Sequence, residues 1–429
     1  SISRNMLEIQ RIREKKQEIA DKLMKVRKAD YSSELDQAFH IDEEKRNVQQ
    51  KLDSAKATLN QLSSQIGELY KQGNTSLANE TKAKTSNLKE DIKQMKDCFI
   101  ALEKQLNEVL LLVPNVPNDL VPEGKNESDN EQVLISDFKE SGKNLFPHWD
   151  LAKKYNLIDF ELGVKITGAG FPVYMGKGAI LQRALIQFFL NEGNKAGYNE
   201  LLVPYLVNED SGYGTGQLPD KEGQMYHVVN DDLYLIPTAE VPITNVYRGS
   251  LLEYEDLPIK HVGYTPCFRR EAGSYGKEVR GLNRLHQFDK VEIVQITSQE
   301  KSYDTLIEMK DHIESLVRKL GLPFRILKLC GGDLGFTSAL TYDFEVYSVG
   351  QKKWLEVSSV SNFETFQANR LKLRYRSPVD NKPQLAHTLN GSALALPRIL
   401  ASLLEFYQSP EGIKIPDVLL PYTGFEWIN

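Results

Sequence analysis

Two stretches of strictly alternating spacing constrain this chain more than anything else in it. Residues 41–69 place Ile41, Val48, Leu52, Ala55, Leu59, Leu62, Ile66 and Leu69 in a row; after the first seven-residue step the intervals are 4, 3, 4, 3, 4, 3. A polar break, KQGNTS at 71–76, interrupts it. The pattern then returns as Leu88, Ile92, Met95, Phe99, Leu102, Leu106, Val109 and Val113. Heptads of this kind put a narrow apolar seam on a helix, and Lys, Glu, Gln and Asn fill the remaining positions. Two such helices joined by a short turn predict an antiparallel coiled-coil hairpin, each arm reaching ~40 Å at 1.5 Å per residue. Residues 1–114 hold 20 Lys and Arg against 18 Asp and Glu, in a chain whose formal net charge is −6. The hairpin is therefore the half better suited to a polyanion.

A Pro-, Asn- and acid-rich stretch, PNVPNDLVPEGKNESDNEQ (114–132), reads as a surface crossing. Beyond it the pattern changes. HWDLAKKYNLIDF (148–160) predicts a short helix and GAILQRALIQFFLNEGNKAG (178–197) a longer one. TSQEKSYDTLIEMKDHIESLVRKLGL predicts another ending at Gly321, and a final helix is expected from near Gly391, with Pro397 implying a kink or a late start. LLVPYLV, DLYLIPT, VGYTPCF, DKVEIVQIT, YDFEVYSV and KKWLEVSSV read as strands. Several follow one another without an intervening helix, which predicts an α+β chain with a mainly antiparallel sheet flanked by helices.

Three scattered cysteines and no secretory h-region point to a reducing cytoplasm, and no apolar run is long enough to span a bilayer. Met6 reads as a natural start, with five residues of other origin ahead of it. No Cys/His spacing suits zinc, and there is no Walker sequence.

The acidic balance makes one basic stretch stand out. PCFRREAGSYGKEVRGLNRLHQFDKVEIV (266–294) gathers Arg269, Arg270, Lys277, Arg280, Arg284 and Lys290 and ends on a carboxylate, Glu292. Arg269 and Arg284 are rigid forks for oxyanions, with a polar, glycine-bearing mobile loop expected between them. Period-2 alternation places Arg284, His286 and Phe288 on one face, with Lys290 and Glu292 further along the same strand. Thr238 and Glu240 close another strand; Glu356 beside Ser358 and Ser359 suits a hard cation such as Mg²⁺. An Asn390-Gly391-Ser392 turn is expected to open the helix carrying Arg398. Each fragment alone is ordinary capping or turn chemistry. Together they fit nucleoside triphosphate chemistry without a P-loop.

These residues resemble a known family, the bacterial-type seryl-tRNA synthetases of class II. GYNELLVPYLV (197–207) is similar to its motif 1, CFRREAG…LNRLHQFDKVE (267–292) to motif 2 and NGSALALPR (390–398) to motif 3. TGQLP (215–219), TAE (238–240) and SSVSNFETFQANR (358–370) point within that class to serine. The resemblance implies a tRNA-binding coiled-coil arm at 1–114, a crossing segment at 115–147 and a catalytic domain at 148–429. It implies that Arg269 and Arg398 are catalytic, Arg269 holding the α-phosphate and the serine carboxylate. Glu271 would read the adenine amino group, Phe288 stack on the ring, and Arg284 and Arg398 grip the outer phosphates. Arg270, Val357 and Ser358 complete the ATP set, and Glu356 and Ser359 would bind Mg²⁺. Thr238, Ala239, Glu240, Glu292, Asn390 and Ser392 would form the serine pocket. The partners implied are ATP, L-serine, tRNA(Ser), tRNA(Sec) as a second acceptor, and a second copy of the chain in a homodimer. Arg270 stands where many relatives have serine, Ala393 and Pro397 where glycine is common, and Val360 where cysteine is common. The rival readings are a noncatalytic tRNA-binding paralogue, a class II enzyme for another amino acid, and a coiled-coil structural protein. Only about thirty residues follow motif 3, too few for an anticodon-binding domain.

Overall fold

The structure, a computed structural model, describes residues 7–139, 145–272 and 279–429. The expected start at Met6 and the residues before it, and Lys277 with most of the expected loop, lie outside the described residues. The described chain divides into two compact units, one of Leu7–Met24 with Ala29–Pro114, the other of Lys25–Lys28 with the described residues from Asn115 to Asn429.

The first unit is a helical hairpin. Its arms are Ser32–Lys71 and Thr75–Leu110, 40 and 36 residues long. At 1.5 Å per residue they reach ~60 and ~54 Å, well beyond the length expected from the apolar residues alone. The extra turns use small and polar residues in the seam. Ala78, Thr81 and Thr85 are buried and continue the 3, 4, 3 spacing into Leu88. On the other arm Leu35, Ala38 and Asp42 are buried ahead of Leu52 and Ala55, whereas Ile41 is half-buried. A buried carboxylate needs a partner, and Asp42 has a bidentate one: Arg13 Nε and Nη2 donate to it at 2.6 and 2.7 Å. Mid-arm, Leu52, Ala55 and Ile92 pack with Leu59, Leu88 and Met95. At the tip Gly73 takes φ +76, and Asn74 caps the second arm by accepting from Leu77 N.

The second unit is built on an eight-stranded sheet. In chain order its strands are β1 Glu131–Ile135, β2 Asn199–Glu200, β3 Ile259–Phe268, β4 Gln287–Thr297, β5 Phe324–Lys328, β6 Leu340–Ser348, β7 Lys353–Asn362 and β8 His387–Ala395. Their spatial order is β1-β5-β6-β7-β8-β4-β3-β2, and every pairing is antiparallel except β2 with β3. The sheet is therefore mainly antiparallel, as expected. Helices Lys177–Lys195, Ser302–Lys319 and Leu396–Phe406 lay apolar stripes against it, and Leu185, Phe189, Met309, Ile313, Leu400 and Leu403 join its core. Among the described residues no helix is long and apolar enough to cross a membrane.

Some sequence expectations need correcting. Residues 148–160 form two elements, a helix His148–Lys154 and a strand Ile158–Asp159 leading into a helix Phe160–Ile166. LLVPYLV is strand only at Leu206–Val207. The largest correction concerns motif 3: Asn390, Gly391 and Ser392 make no turn but lie inside β8, and the helix starts at Leu396 with Pro397 in its first turn. Gly391 serves close packing instead, since a Cβ there would meet Val360 at 3.1 Å.

Candidate active site

Strand alternation sorts β4 into two faces. Val291 and Ile293 join the core, whereas Lys290 and Glu292 share the other side; Phe288, in line with them, is half-buried and also packs against the core. Arg284 and His286 precede β4 and are not part of it. In β8, Ser392 sits opposite Glu292 and Asn390 opposite Ser361.

At one end of this surface lies a small acidic pocket. Ser392 Oγ donates to Glu292 at 3.5 Å, and Lys290 Nζ lies 3.3 Å from Glu292 and donates to Thr238 Oγ1 at 2.8 Å. Glu240 opens a short helix and accepts from Gln367 Nε2 at 2.6 Å, from Gln217 Nε2 at 3.4 Å and from Asn390. Ala239 is fully buried beside them. Burial first, and then the Glu292 charge, push the Glu240 carboxyl up to about 7. Burial raises Glu292 too, opposed mainly by Lys290. When both are ionised, two carboxylates facing one ammonium leave one negative charge unbalanced.

At the other end the guanidiniums gather. Arg269 is locked to His286 by two main-chain contacts: its N–H donates to His286 O at 2.8 Å, and its carbonyl accepts from His286 Nδ1 at 2.9 Å. Its Nε donates to Pro237 O at 3.2 Å, and its charge lies 5.1 Å from the Phe288 ring centre. Glu271 takes φ +53, a conformation rarely held outside functional or turn positions, and accepts from Arg284 Nη1 at 2.6 Å. Arg398 donates from Nε to Asn283 O at 2.9 Å and from Nη1 to Glu356 O at 3.1 Å. Burial lowers the pKa of Arg398; Arg284 and Arg269 add to that, while Glu356 and Glu271 oppose it. Arg398, felt by two further guanidiniums in a partly dry site, calls for an anion. Arg270 is exposed, and its main-chain N–H donates to Gln224 O at 2.8 Å.

Beside Arg398 lies an oxygen cluster that depends on a bulge. Glu356 and Ser359 are three residues apart, so a regular strand would send them to opposite faces. β7 carries one extra residue against β6, Val357, between the pairs Glu345–Glu356 and Phe344–Ser358. The bulge buries Val357 in the core and returns Ser359 to the side of Glu356. Ser359 Oγ lies 2.9 Å from Glu356 Oε1 and 2.5 Å from Asp343 Oδ1. Burial, and then Glu356, raise Asp343 well above the usual carboxylate range. Two such carboxylates around a hydroxyl form an all-oxygen donor set that fits a hard divalent cation. Ser358 turns away and donates to Ser392 O at 2.5 Å, so the side chains of Val357 and Ser358 serve packing. Among the described residues no three His, Cys, Asp or Glu side chains come together as a metal-holding group.

Sequence reasoning missed Asp343, Gln217 and Gln367, and assigned Lys290 no task. Asp343 and Gln367 are polar residues half-buried or buried between apolar neighbours, which is the signal they offered; Gln217, after a glycine, and Lys290, after Asp289, carried no such signal.

Comparison with known proteins identifies the family. The family described as "Seryl-tRNA synthetase N-terminal domain" matches residues 6–117, and "tRNA synthetase class II core domain (G, H, P, S and T)" matches 226–407. A serine–tRNA ligase of Salinibacter ruber is 48% identical over 92% of this chain and 93% of its own length. The chain belongs to the seryl-tRNA synthetase family. A serine–tRNA ligase of Chlorobium phaeovibrioides is 45% identical over 99% of both chains. The solved seryl-tRNA synthetase of Pyrococcus horikoshii, complexed with ATP, superposes with a TM-score of 0.91 at 32% identity, covering 98% of this chain and 99% of that one. Members of this family are class II ligases that join serine to tRNA, and this chain is one of them.

Proposed function

We propose that the acidic pocket takes L-serine, that the guanidinium end takes ATP, and that seryl-adenylate forms between them before serine passes to tRNA(Ser). The observation that carries this reading is a chain of charges within reach of one another, Glu240 with Glu292, Glu292 with Arg269, and Arg269 and Arg284 with Arg398. Glu240 meets the serine ammonium, and Glu292 with Ser392 meets its hydroxyl. Lys290 keeps Glu292 an acceptor. Arg269 bridges the serine carboxylate and the α-phosphate, Glu271 and Phe288 read the adenine, and Arg284 and Arg398 hold the outer phosphates. The serine carboxylate is already a nucleophile at neutral pH and attacks the α-phosphorus in line, breaking the α–β phosphoanhydride bond and displacing pyrophosphate. The chain's work is therefore positioning and charge stabilisation rather than proton removal. Glu356, Ser359 and Asp343 would hold Mg²⁺, which when bound neutralises phosphate charge. A terminal tRNA hydroxyl then attacks the adenylate carbonyl, forming the ester as the acyl–phosphate bond breaks and AMP leaves, with the hydroxyl proton passing to the departing phosphate or to water. The reading extends to a homodimer, to a cytoplasmic location and to tRNA(Sec) as a second acceptor.

Amino-acid-dependent ATP–pyrophosphate exchange with serine, threonine, alanine and glycine tests it. Serine alone is expected to support full exchange, because alanine and glycine leave Glu292 without its hydroxyl. Preference for any other amino acid overturns the pocket assignment.

The pocket also has a pH signature. A carboxyl whose pKa rises on folding holds its proton more tightly folded than unfolded. Glu240 therefore stabilises the ligand-free protein most below its ordinary value of 4.5, and this contribution is lost as pH rises to about 7. Serine binding needs the ionised form and runs the opposite way. KM for serine is expected to fall as pH is raised through about 7 and then level off. In Glu240→Gln the KM should be roughly 10–100-fold higher and lose that dependence. Serine KM measured from acid to mildly alkaline pH at saturating ATP decides; an unchanged profile in the variant removes Glu240 from the role.

A further inference from the structure

We infer that a buried pair outside the substrate surface, His148 with Glu405, is the positioning device that holds the segment 282–284 and through it both triphosphate arginines. The inference rests on the reading that Arg284 and Arg398 grip the outer phosphates of ATP.

His148 and Glu405 are wholly buried. Glu405 Oε1 accepts from the main-chain N–H of His148 at 3.2 Å and meets its ring Nδ1 at 3.1 Å. Its other oxygen accepts from Ser348 Oγ at 2.5 Å and from Gly350 N at 3.2 Å. On the far side of the ring, His148 Nε2 lies 2.8 Å from the N–H of Leu282. An amide N–H can only donate, so Nε2 carries the lone pair and the ring proton sits on Nδ1, facing Glu405. One neutral imidazole thus transmits the carboxylate's position to the Leu282 backbone.

A second tie runs in parallel. Gln351 Nε2 reaches Glu405 Oε1 at 3.5 Å and exchanges hydrogen bonds with the Asn283 side chain at 2.7 and 3.1 Å. The Asn283 carbonyl is the acceptor for Arg398 Nε, and Arg284 is the next residue. Arg398 and Glu405 are seven residues apart on the helix Leu396–Phe406, which puts them on one face two turns apart. One helix thus grips the segment twice, through its arginine and through its carboxylate. The approach is close enough to dictate a residue: Gly281 takes φ +63, and a Cβ there would lie 2.3 Å from His148 Nε2. Packing alone does not call for this pair, since a buried ionisable group is disfavoured against an apolar isostere unless every bond is made. A purely apolar contact would also leave the Leu282 N–H unsatisfied.

The test is ATP–pyrophosphate exchange on the full chain, with kinetic constants normalised to active sites by the adenylate burst. His148→Ala is expected to raise KM for ATP about tenfold while KM for serine stays within about twofold, because only the phosphate grip is displaced. His148→Gln, which can still offer an acceptor to Leu282, should recover part of the loss. His148→Asn, too short to reach Leu282, should not. If His148→Ala does not fold, Gln351→Ala cuts the other tie and should raise KM for ATP about threefold. Unchanged KM for ATP, or an equal rise for serine, in the variants that fold overturns the clamp. Arg398→Ala separates the two readings. A raised KM for ATP there, with none in the His148 and Gln351 variants, removes the clamp alone. No change in Arg398→Ala removes the arginine's assignment and the clamp with it.

Discussion

Arg269→Gln is expected to lose about 10³-fold in kcat/KM for serine-dependent ATP–pyrophosphate exchange, the scale seen when a preorganised electrostatic donor is removed. The geometry explains why one side chain carries so much. Arg269 stands between the acidic pocket and the other two guanidiniums, tied by Nε to Pro237 O and laid against Phe288. It is the fork that both substrates share, so it orients the attacking carboxylate and meets the charge that builds on the phosphate. Glutamine keeps a hydrogen-bonding head and comparable bulk but neither the charge nor the second prong. The side chain is only half-buried, and both main-chain ties to His286 survive the change. Thermal stability should therefore move little. Exchange kinetics alongside a melting curve check this; a loss of tenfold or less with intact folding would show that Arg269 is not the shared fork.

Much of this was legible in the sequence because the strongest signals were local. The 3–4 spacing from Leu88 to Leu106 names a helix seam from the residues themselves. What it did not convey was length, because Ala78, Thr81 and Thr85 occupy seam positions without being large and apolar. Asp42 was hidden for a sharper reason. A carboxylate in a seam makes sense only with Arg13 in place, and that partner lies 29 residues away. Arg269, Arg284, Glu292, Glu356 and Arg398 were likewise readable as chemistry-bearing types, and the fold brings Arg269 and Arg284 within electrostatic reach of Arg398.

The failures share one cause, which is that tertiary pairing overrode local grammar. Asn390-Gly391 has the composition of a turn, yet pairing with β4 and β7 draws it into the sheet and Val360 explains the glycine. Glu356 and Ser359 have the wrong spacing for a shared face, and only the bulge at Val357 makes them neighbours of Asp343. His148 and Glu405 are 257 residues apart, and neither has a sequence neighbour that hints at the other. Spacing rules describe one element at a time; these sites are made between elements.

Removing 46–102 and joining Lys45 to Glu103 through a short Gly-Ser loop is expected to leave ATP–pyrophosphate exchange within about twofold while aminoacylation of tRNA(Ser) falls by at least about 10³-fold. The junction is set by the structure. Lys45 Nζ lies 3.3 Å from Glu103 Oε1, so the arms are already side by side there and a short loop closes them without strain. The base of the hairpin keeps its buried residues: Leu35, Ala38, Asp42 with Arg13, Leu106 and Leu110. The sheet, the acidic pocket and the three guanidiniums belong to the other compact unit and lose nothing. What is removed is the long two-helix surface rich in lysine, which offers phosphate contacts and a rigid means of setting where the tRNA lies. Each lost phosphate contact weakens binding and flattens its salt dependence. The affinity of the truncated protein for tRNA(Ser), measured across a salt series, should thus show a shallower slope as well as a weaker constant. Charging retained within tenfold would mean that the acceptor end alone positions the tRNA, and that the arm is an architectural element; loss of exchange together with charging would mean that the two units are not separable in function.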